Sequence, residues 1–376
     1  MGETQTVALV SHHLPPGRDG YSLMLDELFA EVPEPSLALV GLRPSRWGGR
    51  ARVSLPVPRI PGRESESVVM AAVLSATRAL APPVLRRLFP NVRRIVTTLD
   101  PTMIVADRWA RATGADLWIF GIDLHASAFW RAGDFLKGAL GRWRREAYSR
   151  ASRVFGLSPR MNEWLRADGA PGAVELLPPL INVDRQQPAA MPVGKRSLLF
   201  AGWLYTAQGR ALSWVERAVK DLAPSIELRL LSQMNASAVA AAGLDPARWT
   251  LRGVTPEGVP AEVAAATGVI VALDPTASDR VPLQVAWPSK LREYLSVGRP
   301  VLCIAPPDYG LVDLAREGGW GLVAHDEAST RAAVAAFAAA SDADLQARGA
   351  AAHQFALRYM NNHTAGAAFR RALLGP

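Results

Sequence analysis

Residues 288–302 combine a serine, a lysine and a glutamate at helical spacing. Pro288 and Ser289 are expected to begin a helix, which places Lys290 in its first turn. A cation in that turn is unfavourable to the helix dipole, so the lysine is better explained by an anion that it binds. Glu293 follows one turn later on roughly the same face. We therefore expect phosphate at Ser289 and Lys290 and ribose hydroxyls at Glu293, with a solvated surface helix as the alternative.

Two glycine-containing turns could bring backbone amides to the same ligand. Residues 200–210 are typical of a strand, a tight turn and a helix, in which Gly202 allows close approach and Arg210 can meet a diphosphate. Residues 11–20 lead from the first strand directly into a helix at Gly20, an arrangement that suits an anion or a substrate. Ordinary strand-to-helix connections are the alternative for both turns.

An acidic and an imidazole side chain follow a buried strand predicted over residues 117–122. Asp123 and His125 share one face if the strand continues, so the carboxylate could orient the imidazole, or both could contact a sugar hydroxyl. A histidine in an ordinary loop is the alternative. His12 and His13 are adjacent and would point opposite ways, so we do not expect a metal site there.

The composition describes a folded chain of 376 residues, 49% hydrophobic and 20% charged. Because this length exceeds what one hydrophobic core usually organises, we expect two domains. No apolar run reaches the roughly 18 residues that a membrane-spanning helix needs, and the start shows no leader pattern. The single cysteine, Cys303, lies in an apolar run and predicts a buried thiol. These features favour a cytoplasmic protein.

The formal net charge of +8 favours anionic partners such as a nucleotide, an anionic membrane or nucleic acid. The arginines are spread along the chain, and the aromatic residues are not interleaved with them as single-strand binding requires. We therefore do not expect a nucleic-acid partner.

Short β-branched apolar runs alternate with longer amphipathic ones, which is typical of βα units around parallel sheets. A proline-rich stretch over residues 178–196 interrupts this pattern and is interpreted as an interdomain linker. The strands predicted before the linker cover 6–11, 37–41, 94–98, 117–122, 153–157 and 174–177, and those after it cover 197–201, 227–231, 249–252, 268–273, 300–304 and 321–324. The last part, from about residue 328 to 374, is alanine-rich and helical in pattern.

The block from Pro288 to Val301 reads P-S-K-L, E-Y-L and G-R-P-V, and it resembles the family-4-like retaining glycosyltransferases (group 1) with the GT-B fold. Gly310 and residues 318–323 follow in the family's order, and the pattern from Asp100 to Leu124 resembles its first domain. The resemblance spans almost the whole chain. It implies an α/β fold of two Rossmann-like domains facing a central cleft, with C-terminal helices packing back on the N-terminal domain.

The implied domains are an N-terminal acceptor-binding domain at 1–185, a nucleotide-sugar-binding domain at 186–355, and a helix at 356–376 crossing back. The resemblance also implies transfer of a sugar from a nucleoside-diphosphate sugar to an acceptor hydroxyl with retention, without a metal or another cofactor. The implied donor-binding residues are Gly20, Gly202, Arg210, Ser289, Lys290 and Glu293, and the implied catalytic residues are Asp123 and His125.

The chain departs from the family pattern at several positions. Residues 202–209 resemble the family's G-R-L-x-x-x-K-G turn, but Trp203 stands for the arginine and Gln208 for the lysine. Arg210 is placed to compensate. Val285 stands where many relatives have an acidic residue. These departures motivate the alternative of a non-catalytic nucleotide- or glycan-binding protein on the same fold.

The acceptor is a glycan or a lipid-linked molecule in this interpretation. Residues 135–150 combine basic and aromatic side chains at helical spacing, which suits an anionic bilayer surface. Peripheral contact with the inner face of the cell membrane, in the synthesis of a polysaccharide or glycolipid, is therefore one expectation. A solvated basic face beside the acceptor groove is the other.

Overall fold

A computed structural model of the chain describes residues 6–11, 14–15, 20–41, 52–54, 68–100, 102–122, 134–184, 187–204, 206–273 and 280–375. Its backbone forms two compact units. The first unit consists of residues 1–180 together with 362–376, and the second consists of residues 181–361.

The first unit contains a parallel sheet with the strand order β3-β2-β1-β4-β5-β6-β7. Its strands are β1 (Val7–Val10), β2 (Leu37–Gly41), β3 (Arg52–Ser54), β4 (Arg94–Thr98), β5 (Asp116–Gly121), β6 (Arg153–Gly156) and β7 (Val174–Leu176). Its helices include α1 (Gly20–Phe29), α2 (Val68–Leu88), α3 (Met103–Thr113), α4 (Asp134–Tyr148) and α5 (Pro159–Ala167). The direction of strand order reverses at β1, which pairs with both β2 and β4.

The second unit repeats this design, with the strand order β10-β9-β8-β11-β12-β13. Its strands are β8 (Ser197–Ala201), β9 (Glu227–Leu231), β10 (Trp249–Arg252), β11 (Gly268–Ala272), β12 (Val301–Ile304) and β13 (Gly321–Ala324). Its helices include α6 (Thr206–Leu222), α7 (Ala236–Ala241), α8 (Val259–Ala264), α9 (Arg280–Val285), α10 (Leu291–Val297), α11 (Gly310–Gly318), α12 (Glu327–Ala339) and α13 (Asp342–Tyr359). The last helix, α14 (Ala367–Leu374), belongs to the first unit.

The central strands are continuous apolar runs because helices cover both faces of each sheet. Every residue of β1, β8, β11 and β12 is buried. Helix starts follow local chemistry: at α5 the Ser158 hydroxyl accepts a hydrogen bond from Met161 N at 3.1 Å, and Pro159 occupies the first helical position. The sequence alone predicts this helix start from Ser158 followed by Pro159, and the structure confirms it.

A buried arginine fixes part of the proline-rich stretch to the second unit. Arg299 is fully buried, and its guanidinium donates to the carbonyl oxygens of Ala189 (3.0 Å), Ala190 (2.7 Å) and Ala264 (2.6 Å). Burial lowers the pKa of Arg299. Because these carbonyls satisfy the guanidinium, a segment without helix or strand periodicity is nevertheless held in place.

Several elements differ from the sequence-based expectation, three of them as follows. The short strand β3 and the short helix α9 were not predicted. The apolar spacing of residues 65–79 predicts a helix that ends at residue 79, but α2 continues to Leu88 through Pro82 and Pro83. Its later turns pack Leu85 into the protein interior, and this tertiary packing outweighs the backbone hydrogen bonds that the prolines remove.

Candidate functional site

In the second unit, a glycine and a lysine that were singled out separately lie together where β8 ends. Because β8 pairs with both β9 and β11, its carboxyl end is a switch point of the strand order, where open α/β sheets bind ligands. Gly202 follows β8 with φ 120°, a conformation that favours glycine. A Cβ atom at Gly202 would lie 3.3 Å from Lys290 Nζ. The turn therefore needs glycine both for its backbone and for the approach of the lysine.

The Lys290 side chain is partly buried, and no carboxylate among the described residues balances its charge. Its Nζ lies 3.6 Å from the centre of the Phe200 ring, a cation–π contact. Within the described ranges, no Asp or Glu side chain forms an ion pair with it. Burial lowers the pKa of Lys290 to about 7. An anion that enters here would meet a cation whose cost of desolvation is already incurred on folding.

The position of Lys290 relative to the helix corrects the expectation from sequence. Helix α10 begins at Leu291, so Lys290 is the capping residue that precedes the first turn, and Pro288 and Ser289 lie in the connection before it. Ser289 is partly buried, and its carbonyl oxygen accepts a hydrogen bond from Arg292 N at 3.3 Å. A cation at this position still lies at the positive end of the helix, so the argument from the dipole is kept with the boundary shifted by one residue. The burial of Lys290 and its unbalanced charge single it out as well.

Tyr294 is a positioning residue that the sequence analysis assigned no role. It is fully buried in α10, and its hydroxyl oxygen accepts a hydrogen bond from Ala201 N at 2.7 Å. Burial raises the pKa of Tyr294 well above its usual range. This bond joins the end of β8 to α10, and it thereby fixes the turn at Gly202 against the segment that carries Lys290. The sequence feature that could have identified Tyr294 is its position in the E-Y-L block, directly after Glu293.

Glu293 is held by its neighbour. Arg292 donates to Glu293 Oε1 through Nε at 2.9 Å and through Nη2 at 2.7 Å, and both side chains are 19% exposed. Two parallel donors fix the orientation of the carboxylate. The sequence analysis selected Glu293 but not Arg292.

The remaining predicted positions of the second unit are dispersed along its elements. Arg210 is exposed on α6, and Gln208 is partly buried in its first turn. Trp203 is 55% exposed directly after Gly202. Gly209 has a structural explanation, because a Cβ atom there would collide with the carbonyl oxygen of Ala242. Val285 is buried in α9, so this position contributes to the core and offers no carboxylate.

In the first unit, a buried polar cluster lies where β4 ends. Asp100 accepts hydrogen bonds from Thr102 N (2.7 Å) and from the hydroxyls of Thr102 (2.6 Å) and Thr98. The Thr98 and Ser11 hydroxyls are 2.8 Å apart, and Thr97 donates to Val10 O at 2.9 Å. This cluster ties the ends of β1 and β4 together, and it therefore fixes where the chain leaves β1.

Among the described residues, this cluster contains none of the other predicted positions of the first unit. Gly20 is the partly buried first residue of α1. Asp123 and His125, like His12 and His13, lie outside the described residues.

The described part of the chain contains one cysteine, which lies in β12. Cys303 is confirmed as a buried thiol, and burial raises its pKa to about 12. No cluster of three or more His, Cys, Asp or Glu side chains that could hold a metal ion occurs in the described ranges. No helix among those residues is both long and apolar enough to cross a bilayer.

Comparison with known proteins identifies the architecture. No family model matches the chain, and no curated protein does. Among solved structures, sucrose-phosphate synthase from Thermosynechococcus elongatus matches with a TM-score of 0.74 and 15% identity over 97% of both chains. Anabaena HepE in complex with UDP and glucose matches with a TM-score of 0.68 and 12% identity over 99% of this chain and 100% of its own.

A third match is the UDP-forming α,α-trehalose-phosphate synthase from Burkholderia vietnamiensis, with a TM-score of 0.70 and 14% identity over 99% of this chain and 98% of its own. Structural similarity at such low sequence identity establishes the fold alone, so any chemistry has to be argued from the residues of this chain. The predicted α/β fold of GT-B type, with two Rossmann-like domains, is confirmed.

Proposed function

We propose that the chain is a glycosyltransferase that moves a sugar from a nucleoside-diphosphate sugar to an acceptor hydroxyl. The observation that carries this proposal is Lys290: a partly buried ammonium between the Gly202 turn and the Phe200 ring, without a carboxylate partner among the described residues. A diphosphate is the group that this arrangement fits, because it supplies the missing negative charge and can approach the backbone where glycine leaves room.

The proposed mechanism follows from where charge develops. When the bond between the sugar and the diphosphate breaks, negative charge accumulates on the departing diphosphate. Lys290 in its protonated form stabilises that charge, and its fixed, partly buried position makes the stabilisation stronger than in water. Phe200 and the Gly202 turn hold the ammonium in place before the donor arrives. In this proposal the side chains supply the positive charge, and the reaction needs no cofactor besides the donor.

The nucleoside part of the donor is assigned to Glu293. A carboxylate held by Arg292 on one oxygen can accept hydrogen bonds from ribose hydroxyls with its other oxygen. Ser289 and Arg210 remain predicted phosphate contacts. Gly20 remains a predicted neighbour of the diphosphate. The proposal includes retention of the anomeric configuration of the sugar, because the sequence resembles the retaining glycosyltransferases.

Asp123 and His125 remain predicted contacts of the transferred sugar or the acceptor. The acceptor is proposed to be a glycan or a lipid-linked molecule in the synthesis of a cell-surface polysaccharide or glycolipid. UDP-sugars are the first donors to test, because the Anabaena protein was solved with UDP and glucose and the Burkholderia enzyme is UDP-forming.

A second candidate is a nucleotide- or glycan-binding protein without catalysis. Two observations favour it: the buried Val285 occupies the position of an acidic residue, and the exposed Trp203 that of an arginine. Both replacements remove polar groups from the donor side while leaving Lys290 and Glu293 in place. This candidate shares the nucleotide site and differs only in turnover.

Thermal-shift and calorimetric titrations with UDP- and GDP-sugars test the site. We expect one donor to raise the melting temperature of the wild type and to do so far less in Lys290→Ala and Glu293→Ala. Lys220→Ala is the matched control, because Lys220 is an exposed lysine of the same unit. A donor that stabilises both site variants as strongly as the wild type would refute the assignment. Release of nucleoside diphosphate then decides between the candidates, since binding without any release favours the non-catalytic protein.

A further inference from the structure

Helix α2 presents an apolar stripe to solvent in the first unit. Leu80 is 69% exposed, and Val84 and Leu88 are each 52% exposed. Their spacing of four residues places the three side chains along one side of the helix. The opposite side is buried through Leu85 and Ala81, so the stripe is additional to the face that packs on the protein. Three large side chains exposed in one row indicate a surface that binds something.

The charges of the segment that carries this stripe have one sign, and a carboxylate from outside the segment, that of Glu146, contacts Arg78. Residues 68–98 contain five arginines and no aspartate or glutamate. Arg86, Arg87 and Arg93 are exposed. Arg87 lies three residues beyond Val84 and therefore borders the stripe. An exposed apolar row bordered by arginines is complementary to an apolar phase with a negatively charged surface.

We propose that the α2 surface, formed by Leu80, Val84, Arg86, Arg87 and Leu88, docks the first unit on an anionic lipid bilayer. The leucines and the valine would enter the boundary between headgroups and acyl chains, and the arginines would contact lipid phosphates. A second copy of the chain fits less well, because an interface that pairs this surface with itself would bring the arginines of both copies together. The proposal concerns membrane contact alone and does not depend on glycosyl transfer.

The helix at 135–150, which the sequence favoured for membrane contact, is committed to protein contacts in its second half. Arg144 is paired with Asp168, and Arg150 donates to Asp107 at 2.7 Å. Tyr148 is fully buried. Two of the basic side chains that gave this helix its membrane-like pattern are thus used within the first unit, whereas Arg142 and Arg145 are exposed, like Arg86 and Arg87 of α2. The feature that favours α2 is the exposed apolar row beside its arginines.

The docking is expected to be reversible and sensitive to salt. Each arginine near an anionic surface contributes roughly fivefold in affinity, and that contribution falls as salt screens the charge. Partial burial of the three apolar side chains adds at least about tenfold. Neither contribution alone gives stable attachment, so both apolar and charged variants should weaken binding.

Co-sedimentation of the full chain with lipid vesicles tests the proposal. We expect binding to vesicles enriched in phosphatidylglycerol and little binding to vesicles of pure phosphatidylcholine. Replacing Arg86 and Arg87 by glutamine should weaken binding by about 25-fold. The triple variant Leu80→Gln, Val84→Thr, Leu88→Gln should weaken it by at least about tenfold. The double variant Lys220→Gln, Leu222→Gln is the matched control, since it removes one exposed charge and one exposed leucine from α6 and should bind like the wild type.

Several outcomes would overturn the proposal. One such outcome is a wild-type protein that does not bind anionic vesicles. Binding of an acidic protein to the α2 surface would not rescue the proposal in that case. Equal binding by the wild type and both α2 variants would exclude this surface. A concentration-dependent dimer that the apolar triple variant abolishes would assign the stripe to self-association. Because α2 belongs to the first unit, the donor-induced thermal shift should persist in every α2 variant. Failure of the membrane proposal is therefore distinguishable from failure of the donor site.

Discussion

Both units have a polar side chain at the carboxyl end of a central strand, but the two side chains differ in whether the described protein residues supply a partner. In the first unit, Asp100 follows β4 and is only 7% exposed, yet Thr98 and Thr102 supply it with hydrogen-bond donors. In the second unit, the Lys290 ammonium beside the end of β8 has no carboxylate partner among the described residues.

The difference separates two uses of a buried polar group. A carboxylate whose hydrogen bonds are satisfied by its own protein stabilises the strand ends that it joins. A desolvated cation without a counter-ion is unfavourable to folding, and it is best explained by an anion that arrives later. Asp100 is therefore interpreted as structural and Lys290 as functional, although both residues lie where a parallel sheet usually binds ligands.

Replacing Lys290 by methionine should produce the largest change in donor affinity, and it tests directly whether Lys290 differs in role from Asp100. Donor affinity should fall about 100-fold, equivalent to about 3 kcal/mol, because a charge-assisted contact to the diphosphate is lost. The free energy of unfolding should stay the same or rise, because the variant no longer desolvates a cation. Calorimetric titration and urea denaturation measure the two quantities. Loss of stability comparable to the loss of affinity would make Lys290 a structural residue.

Replacing Asp100 by alanine should act in the opposite sense. The variant leaves the buried Thr102 amide without its acceptor, while the Thr98 and Thr102 hydroxyls keep Ser11 Oγ and Val10 O as acceptors. The expected cost is about 2 kcal/mol in unfolding free energy. Donor affinity at the second unit should be unchanged. Asp245→Ala is the control, since Asp245 is an exposed helix-capping aspartate and its removal should cost about 1 kcal/mol. A stable Asp100→Ala protein that has lost activity would contradict the structural interpretation.

The fold was largely predictable because it depends on local apolar patterns. Strands β2 and β8 have the predicted bounds, since buried strands of parallel sheets form short continuous apolar runs between turn residues. β3, with only three residues, is too short to carry a recognisable period. Helix α2 continues past its predicted end because the packing of its later turns is a tertiary effect that a local pattern does not show.

The site was predictable in its residue types and not in its contacts. Ser289, Lys290 and Glu293 were selected from spacing and resemblance. The bond from Ala201 N to Tyr294 joins residues 93 positions apart, so only the folded sheet brings them together. The same holds for Lys290 on the Phe200 ring. Lys290 was selected for a place in a helix that it precedes by one residue, and its role in donor binding stays a prediction.

The pH dependence of the Lys290 site should sharpen the comparison, with donor affinity and stability changing in opposite directions. The pKa of Lys290 is about 7 in the folded protein, whereas a lysine that is fully exposed to water has a pKa of 10.5. Above pH 7 the folded state has lost a proton that the unfolded state keeps, so the free energy of unfolding should rise with pH up to about 10.5.

Donor binding requires the protonated amine, so affinity should fall by about tenfold, or 1.4 kcal/mol, for each pH unit above 7. Calorimetry in buffers of different ionisation enthalpy should show proton uptake on binding above this pH. Lys290→Met should show neither trend. An affinity that is independent of pH in the wild type would place the diphosphate away from this amine.

Arg292→Gln should give the smallest effect, and it tests whether the carboxylate of Glu293 belongs with Asp100 or with Lys290. Arg292 holds one Glu293 oxygen through two donors, so the pair resembles the satisfied Asp100 cluster on that side. If the other oxygen binds ribose, loss of Arg292 should weaken nucleoside-diphosphate binding about three- to fivefold, or up to about 1 kcal/mol, because the carboxylate becomes less well oriented. Inorganic diphosphate has no ribose, and its affinity should change little. Equal weakening of both ligands would mean that Arg292 contacts phosphate directly, and the division between a phosphate-binding lysine and a ribose-binding glutamate would then have to be redrawn.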